Sequence, residues 1–91
     1  MIASFQSKAL EHLYNGKPKL IEASLRRRTA FVLLALSAAT RAEDMNLPGF
    51  GLHPLKGERA GTWAVSINKN WRITFRFENG NVHDVDFEDY H

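Results

Sequence analysis

Between residues 20 and 39 the apolar positions recur at spacings of three and four. Leu25, Thr29, Val32, Leu36 and Ala39 fall on one face, which predicts a main helix over 20–39. From residue 62 onward the period changes to two. Trp63, Val65 and Ile67 alternate with Thr62, Ala64, Ser66 and Asn68. Trp71, Ile73, Phe75 and Phe77 alternate with Arg72, Thr74 and Arg76. Each run reads as a strand with one apolar and one polar face. Upstream, 2–5 alternates weakly and reads as a short strand. Residues 7–13 read as a short helix, stopped by the NGKP turn at 15–18. The TRAE run at 40–43 fits a capping box, and NLPGFG at 46–51 breaks the helical pattern.

The turns set the register. A loop of Asn68, Lys69 and Asn70 pairs Ile67 with Trp71, Val65 with Ile73 and Trp63 with Phe75, with Asn70 in the left-handed position. For the next turn, a two-residue Asn79-Gly80 reading sets Asp84 against Phe75. A three-residue reading, Glu78-Asn79-Gly80, pairs Ile73 with Val85, Trp71 with Phe87 and Arg72 with Asp86, and keeps every face consistent. The second is preferred, with pairing ending near Phe87. The expected architecture is α+β: a small antiparallel sheet with helices on its apolar face. The other face is an open basic groove presenting Thr62, Ala64, Ser66, Arg72, Thr74, Arg76, Asp84 and Asp86.

Ninety-one residues, 44% of them hydrophobic, make one domain over 1–91 with a single modest core. Zero cysteines exclude disulfides, thiolate metal sites and a cysteine nucleophile. The longest apolar run, 30–39, is half of the roughly 20 residues a membrane span needs. A cytoplasmic protein without membrane contact is expected. Net charge is +2, but all twelve Lys and Arg lie in 1–77, and the last fourteen residues carry five acids. A basic body suits a polyanionic partner; it also suits a solvated surface, the simpler account of Arg26, Arg27 and Arg28.

Candidate chemistry gathers near the groove. His53, Lys56 and Arg59 precede the first meander strand, Arg72 and Arg76 lie on the central strand, and the chain closes on Asp89, Tyr90 and His91. Metal-free RNA cleavage needs such a set: a base for the ribose 2′-OH, cations for the charge on the phosphorane, and an acid for the leaving 5′-oxygen. No His-x-x-x-His or carboxylate cluster suggests a metal, and no cofactor motif is present. His12 and His83 read as non-functional, the latter beside Phe75 on the covered face.

The stretch LHPLKGERAGTWAVSINKNWRITFRFENGNVHDVDFEDYH, from Leu52 to His91, resembles the plasmid-maintenance killer toxins, the HigB branch of the RelE/ParE superfamily. The run L-x-x-L-K-G-x-R-x-G-x-W, the W-R-I-x-F strand and the closing D-Y-H carry the resemblance. It implies the RelE fold and a ribosome-dependent endoribonuclease that cuts mRNA. It also implies a HigA-like helix-turn-helix antitoxin, with operator DNA reached only through that partner. Carried onto this chain, the implied catalytic set is His53, Asp89, Tyr90 and His91, with Lys56, Arg59, Arg72 and Arg76 toward RNA phosphates. A ParE-like gyrase inhibitor that cleaves nothing shares the fold, as would an inactive homologue kept for antitoxin binding.

Overall fold

The computed structural model describes residues 1–90; His91 lies outside them. Its first helix, α1 (Lys8–Tyr14), begins where Ser7 accepts a hydrogen bond from Leu10 N at 3.1 Å. The cap satisfies one of the amides a helix start leaves unpaired. Gly16, at φ +84, reverses the chain after it.

The main helix, α2 (Arg26–Ala38), starts later than its apolar spacing predicts. Residues 18–25 instead form two short 3₁₀ turns (Pro18–Leu20 and Ala23–Leu25), separated by extended backbone at Ile21 and Glu22. That extended step drives Ile21 into the core, where it is buried, and leaves its carbonyl to accept from Arg26 Nε at 2.8 Å. Leu25, Thr29, Val32, Leu36 and Ala39 are all buried, so the face was right and the helical start was not.

After α2, Asp44 accepts from Thr40 N at 2.9 Å and from Arg41 N at 3.3 Å. The acidic capping partner is therefore Asp44 rather than Glu43, one residue beyond the expected box. A short turn (Ala42–Met45) follows.

Among the described residues the sheet has four antiparallel strands in sequence order: β1 (His53–Pro54), β2 (Trp63–Ser66), β3 (Trp71–Glu78) and β4 (Asn81–Asp89). β2 and β3 pair in the expected register, Trp63 with Phe75 and Val65 with Ile73. Their loop is held differently from the expectation, since Asn70 does not take positive φ. Asn68 Oδ1 instead accepts from the Asn70 and Trp71 amides, both at 2.8 Å, an Asx turn.

The β3–β4 register departs from the expected one. The turn is the two-residue Asn79-Gly80 form, both at positive φ (53° and 79°), with Glu78 opposite Asn81. A β-bulge between Thr74 and Arg76, with Asp84 at φ +56, absorbs the resulting mismatch. Val85 thereby stays buried without displacing Phe75. Downstream, Ile73 faces Phe87 and Arg72 faces Glu88, so Arg72 does not pair with Asp86, and pairing runs on to Asp89. His83 pairs with Arg76, away from the helix-covered face assigned to it from sequence.

Residues 1–6 run parallel beside the free edge of β4, with bridges Ile2–Val82 and Phe5–Val85. That cover protects an edge otherwise open to another strand. Beneath the helices, Val32, Leu33 and Leu36 join Val65, Ile73, Phe75 and Val85 in one core. Each large buried side chain contributes about 1.5–3 kcal/mol of transfer free energy. Trp63 and Trp71 are only partly buried at its rim. Among the described residues no helix is long and apolar enough to cross a membrane.

Candidate active site

The polar face of the sheet is built in rows. His53, Ala64, Thr74 and Asp86 are successive partners across the four strands, so their side chains share one face. Ser66, Arg72 and Glu88 form the next row. Ala64 and Thr74 are buried and make the floor.

Glu88 fills the space above that floor. Its Oε1 accepts from Arg59 Nη1 at 2.9 Å and from Arg72 Nε and Nη2 at 3.2 and 3.0 Å. Its Oε2 accepts from Thr74 Oγ1 at 3.0 Å and from Arg59 Nη2. The Arg59 hydrogen bond, reinforced by those from Thr74 and Arg72, pulls the carboxyl down to about 2 against the opposing effect of burial. Arg59 is raised in return by the same contact. The Tyr90 ring lies over Arg72, 4.9 Å from the guanidinium carbon to the ring centroid. It is held there by its own amide, which donates to Asn70 O at 3.0 Å.

His53 lies exposed on β1, with Nδ1 2.9 Å from Gly51 O. A carbonyl only accepts, so that contact puts a proton on Nδ1 and, in the neutral ring, leaves the lone pair on Nε2. Lys56 is exposed at the start of the short turn (Gly57–Arg59) that delivers Arg59.

The structure thus joins Arg59 to Arg72 through Glu88 and lays Tyr90 over Arg72, with His53 in the adjoining row. Two expected residues stand apart. Arg76 pairs with Asp84 Oδ2 at 2.8 Å and Glu78 Oε2 at 3.5 Å, farther along β3. Asp89 is registered against Trp71, on the opposite face of the strand from Glu88. His91 lies outside the described residues.

Sequence reasoning put Thr74 on the groove face but missed Glu88, its hydrogen-bond partner. The signal for Glu88 was present in Asn79-Gly80, the strongest short hairpin dipeptide. Taking it literally slips β4 by one residue before the bulge and by another across it.

Among the described residues, three open cavities beside the helices lie away from this face. They measure about 500, 250 and 510 Å³ and are lined by 16–20 with His12, by α1–α2 residues including Tyr14 and Leu34, and by Ser24, Arg27, Arg28 and Phe31. Arg28 is bound into the fold: its Nη2 donates to Gly49 O at 2.8 Å and Ser66 O at 3.0 Å, and it sits over the Phe50 ring. Among the described residues no group of three or more His, Cys, Asp or Glu side chains could hold a metal ion.

The sequence model of the family described as RelE-like toxin of type II toxin-antitoxin system HigB matches residues 3–91. The chain is 40% identical to the endoribonuclease HigB of Proteus vulgaris over 92 residues, covering all of both proteins. Among solved structures, a YoeB/ParE toxin from Agrobacterium tumefaciens superposes with TM-score 0.66 at 16% identity, over all of both chains. YafQ from E. coli gives 0.65 at 12% identity, over 98% of this chain and 93% of that one. A YoeB–YefM complex from Staphylococcus aureus gives 0.61 at 13%, over 100% and 98%. At those identities the structural likeness speaks for the fold alone.

Proposed function

The chain belongs to the HigB-like family of RelE-fold toxins from type II toxin–antitoxin systems, and from that premise we propose that it is an endoribonuclease that cuts mRNA on the ribosome and so arrests translation. The observation that carries this reading is the 40% identity with the Proteus vulgaris endoribonuclease across both whole chains. The geometry of the polar face agrees with it.

Cleavage of this type joins the ribose 2′-oxygen to phosphorus and breaks the bond to the 5′-oxygen. One proton leaves the 2′-OH and one reaches the departing oxygen. His53, with Nε2 carrying the lone pair, suits the first transfer. Tyr90 and His91 are the donors proposed for the second. Arg72, joined to Arg59 through Glu88, supplies positive charge where the phosphorane becomes more negative, and Lys56 is a further cation proposed for the RNA phosphates. Asp89 belongs to the closing D-Y-H, and its register opposite Trp71 suits it to orienting the tail better than to meeting RNA.

The partners proposed are mRNA in the decoding site and a HigA-like helix-turn-helix antitoxin, through which alone operator DNA is reached. A gyrase-directed activity has only the shared fold in its favour. The test is induction of the chain in cells followed by 5′-end mapping of transcripts. New ends within translated codons, with protein synthesis stopping before DNA synthesis, are expected. Intact transcripts with replication stopping first would overturn the reading.

A further inference from the structure

Two guanidinium groups beside one another repel, and long arginine side chains carry much rotamer freedom. At the centre of the polar face both costs are met by one carboxylate. Glu88 receives Arg59 on a two-point fork, Arg72 through its Nε/Nη2 edge, and Thr74 from the floor. Arg72 is additionally covered by Tyr90. The side chains of Arg72 and Glu88 are only 17% and 18% exposed, so the pair is fixed within the sheet surface rather than loosely solvated.

We propose that Glu88 is a positioning residue for the cleavage reaction: it locks Arg59 and Arg72 side by side, with Arg72 beneath the Tyr90 ring, so that both cations are already in place for a transferring phosphate. This rests on the endoribonuclease reading above. Two cations against one anion leave the cluster with a net single positive charge. The carboxylate gives up part of the ground-state attraction for RNA in exchange for cations that need no rearrangement as charge builds on phosphorus. The register expected from the sequence hid this role, because a three-residue turn faces Arg72 with Asp86 where the bulged strand faces it with Glu88.

Removing the carboxylate should therefore separate binding from chemistry. In Glu88→Ala the cations are freed and the local charge rises. RNA should bind as tightly or more tightly, with a steeper loss of affinity as salt is raised. The maximal cleavage rate should fall on the order of ten- to a hundredfold, the scale for disordering a donor to the transition state. Glu88→Gln, which keeps one acceptor oxygen, should fall between.

The experiment compares wild type, both variants and Arg72→Ala. It measures kcat and KM for cutting a defined mRNA in a reconstituted translation reaction, affinity for a 2′-O-methyl RNA oligonucleotide across salt concentrations, and melting temperature. A lowered kcat with KM unchanged or lowered, and the steeper salt dependence, is the expected result. Wild-type kcat in both Glu88 variants overturns the proposal. So does a kcat that falls only in step with the folded fraction while RNA affinity and its salt dependence stay put. Failure of the function reading shows separately, as wild-type protein that leaves the mRNA intact, and it removes this proposal with it.

Discussion

Asp84 stands at φ +56 and its carboxylate accepts from Arg76 Nε at 2.8 Å. The left-handed backbone and the ion pair belong to one device. The bulge turns Asp84 out of the ladder, where Ser4 Oγ accepts from its amide and Gln6 Nε2 donates to its Oδ1. The N-terminal segment is thus tied to the residue that sets the register of the last strand. Asp84 is held below the usual carboxylate range, first by Arg76 and then by Gln6.

Substitutions at Asp84 should rank by backbone compatibility. A β-branched residue pays about 1–2 kcal/mol for left-handed backbone and loses about 1 kcal/mol of net hydrogen bonding. Asp84→Val should therefore destabilise by roughly 2–3 kcal/mol, and Asp84→Asn by under about 1 kcal/mol, since Asn tolerates that conformation. Urea unfolding measures both. Equal losses for Val and Asn would mean that the bulge does not govern stability.

Why the strands were legible and the bulge was not has a physical basis. Alternation at Trp63–Ile67 and Trp71–Phe77 reports directly which face meets the helices, because a one-residue slip would expose a whole apolar set. In β4 the pattern is mixed. Val82, Val85 and Phe87 are not separated by a constant two, and only an extra residue lets both halves face inward. Choosing a constant period forced the longer turn and put Asp86 where Glu88 belongs. The late start of α2 has a similar cause. Ile21 and Leu25 fit a helical spacing, but Ile21 reaches the core through extended backbone. His53, Arg59, Arg72 and Tyr90 could be placed around the groove from the sequence; what joins Arg59 to Arg72 was hidden by the register.

Acid should weaken the fold through Glu88. Its carboxyl is lowered from 4.5 to about 2 in the folded chain, so the folded state holds the proton less tightly than the unfolded. The stabilisation is fully present above about pH 4.5 and is lost as pH falls from there toward 2. Discounted for solvent screening at a sheet surface, it amounts to on the order of ~2 kcal/mol. The stability gap between wild type and Glu88→Gln should shrink over that window. A gap independent of pH from 6 to 2, on an order-of-magnitude scale of ~0.3 kcal/mol, would remove the charged contact as its source.

The arginines that open α2 should divide sharply. Cations at a helix N-terminus are electrostatically disfavoured, so a residue kept there needs another contact. Arg28 has three, to Gly49 O, Ser66 O and the Phe50 ring. Arg27 is exposed. Arg28→Ala should cost about 1.5–3 kcal/mol of stability, the range for hydrogen bonds from a charged donor. Arg27→Ala should stay within about 0.5 kcal/mol. Denaturant midpoints distinguish them, and loss of cleavage by Arg28→Ala at full stability would reassign Arg28 from fold to RNA.

Arg72→Ala should abolish most cleavage. Losing one fixed donor to a developing anion costs about 3 kcal/mol of transition-state stabilisation, near a hundredfold or more in rate. Cleavage of a defined mRNA at equal folded concentration measures it. A variant that cuts at the wild-type rate would take Arg72 out of the chemistry and leave it a partner of Glu88.

Tyr90 can contribute a ring, a hydroxyl, or only its backbone. The backbone is already accounted for, since its amide donates to Asn70 O and extends the pairing past Asp89. Removing the final residues outright would therefore disturb the strand end as well as the site, and single changes are cleaner. Tyr90→Phe keeps the amide and the ring over Arg72. It deletes a hydroxyl whose contact in the fold, to Asn68 O at 3.5 Å, is too long to matter for stability. Melting temperature should be unchanged in that variant. If the hydroxyl donates a proton or a hydrogen bond to the reacting phosphate, cleavage should still fall by about 10²-fold or more. Tyr90→Ala also removes the cation–π contact, worth about 0.5–1 kcal/mol at an exposed site, so stability and rate should both drop. Cleavage kinetics and thermal melts on the two variants separate the roles. A Phe variant with wild-type rate, beside an Ala variant that is slow, would make Tyr90 a cover for Arg72 and leave proton donation to the residue that follows it.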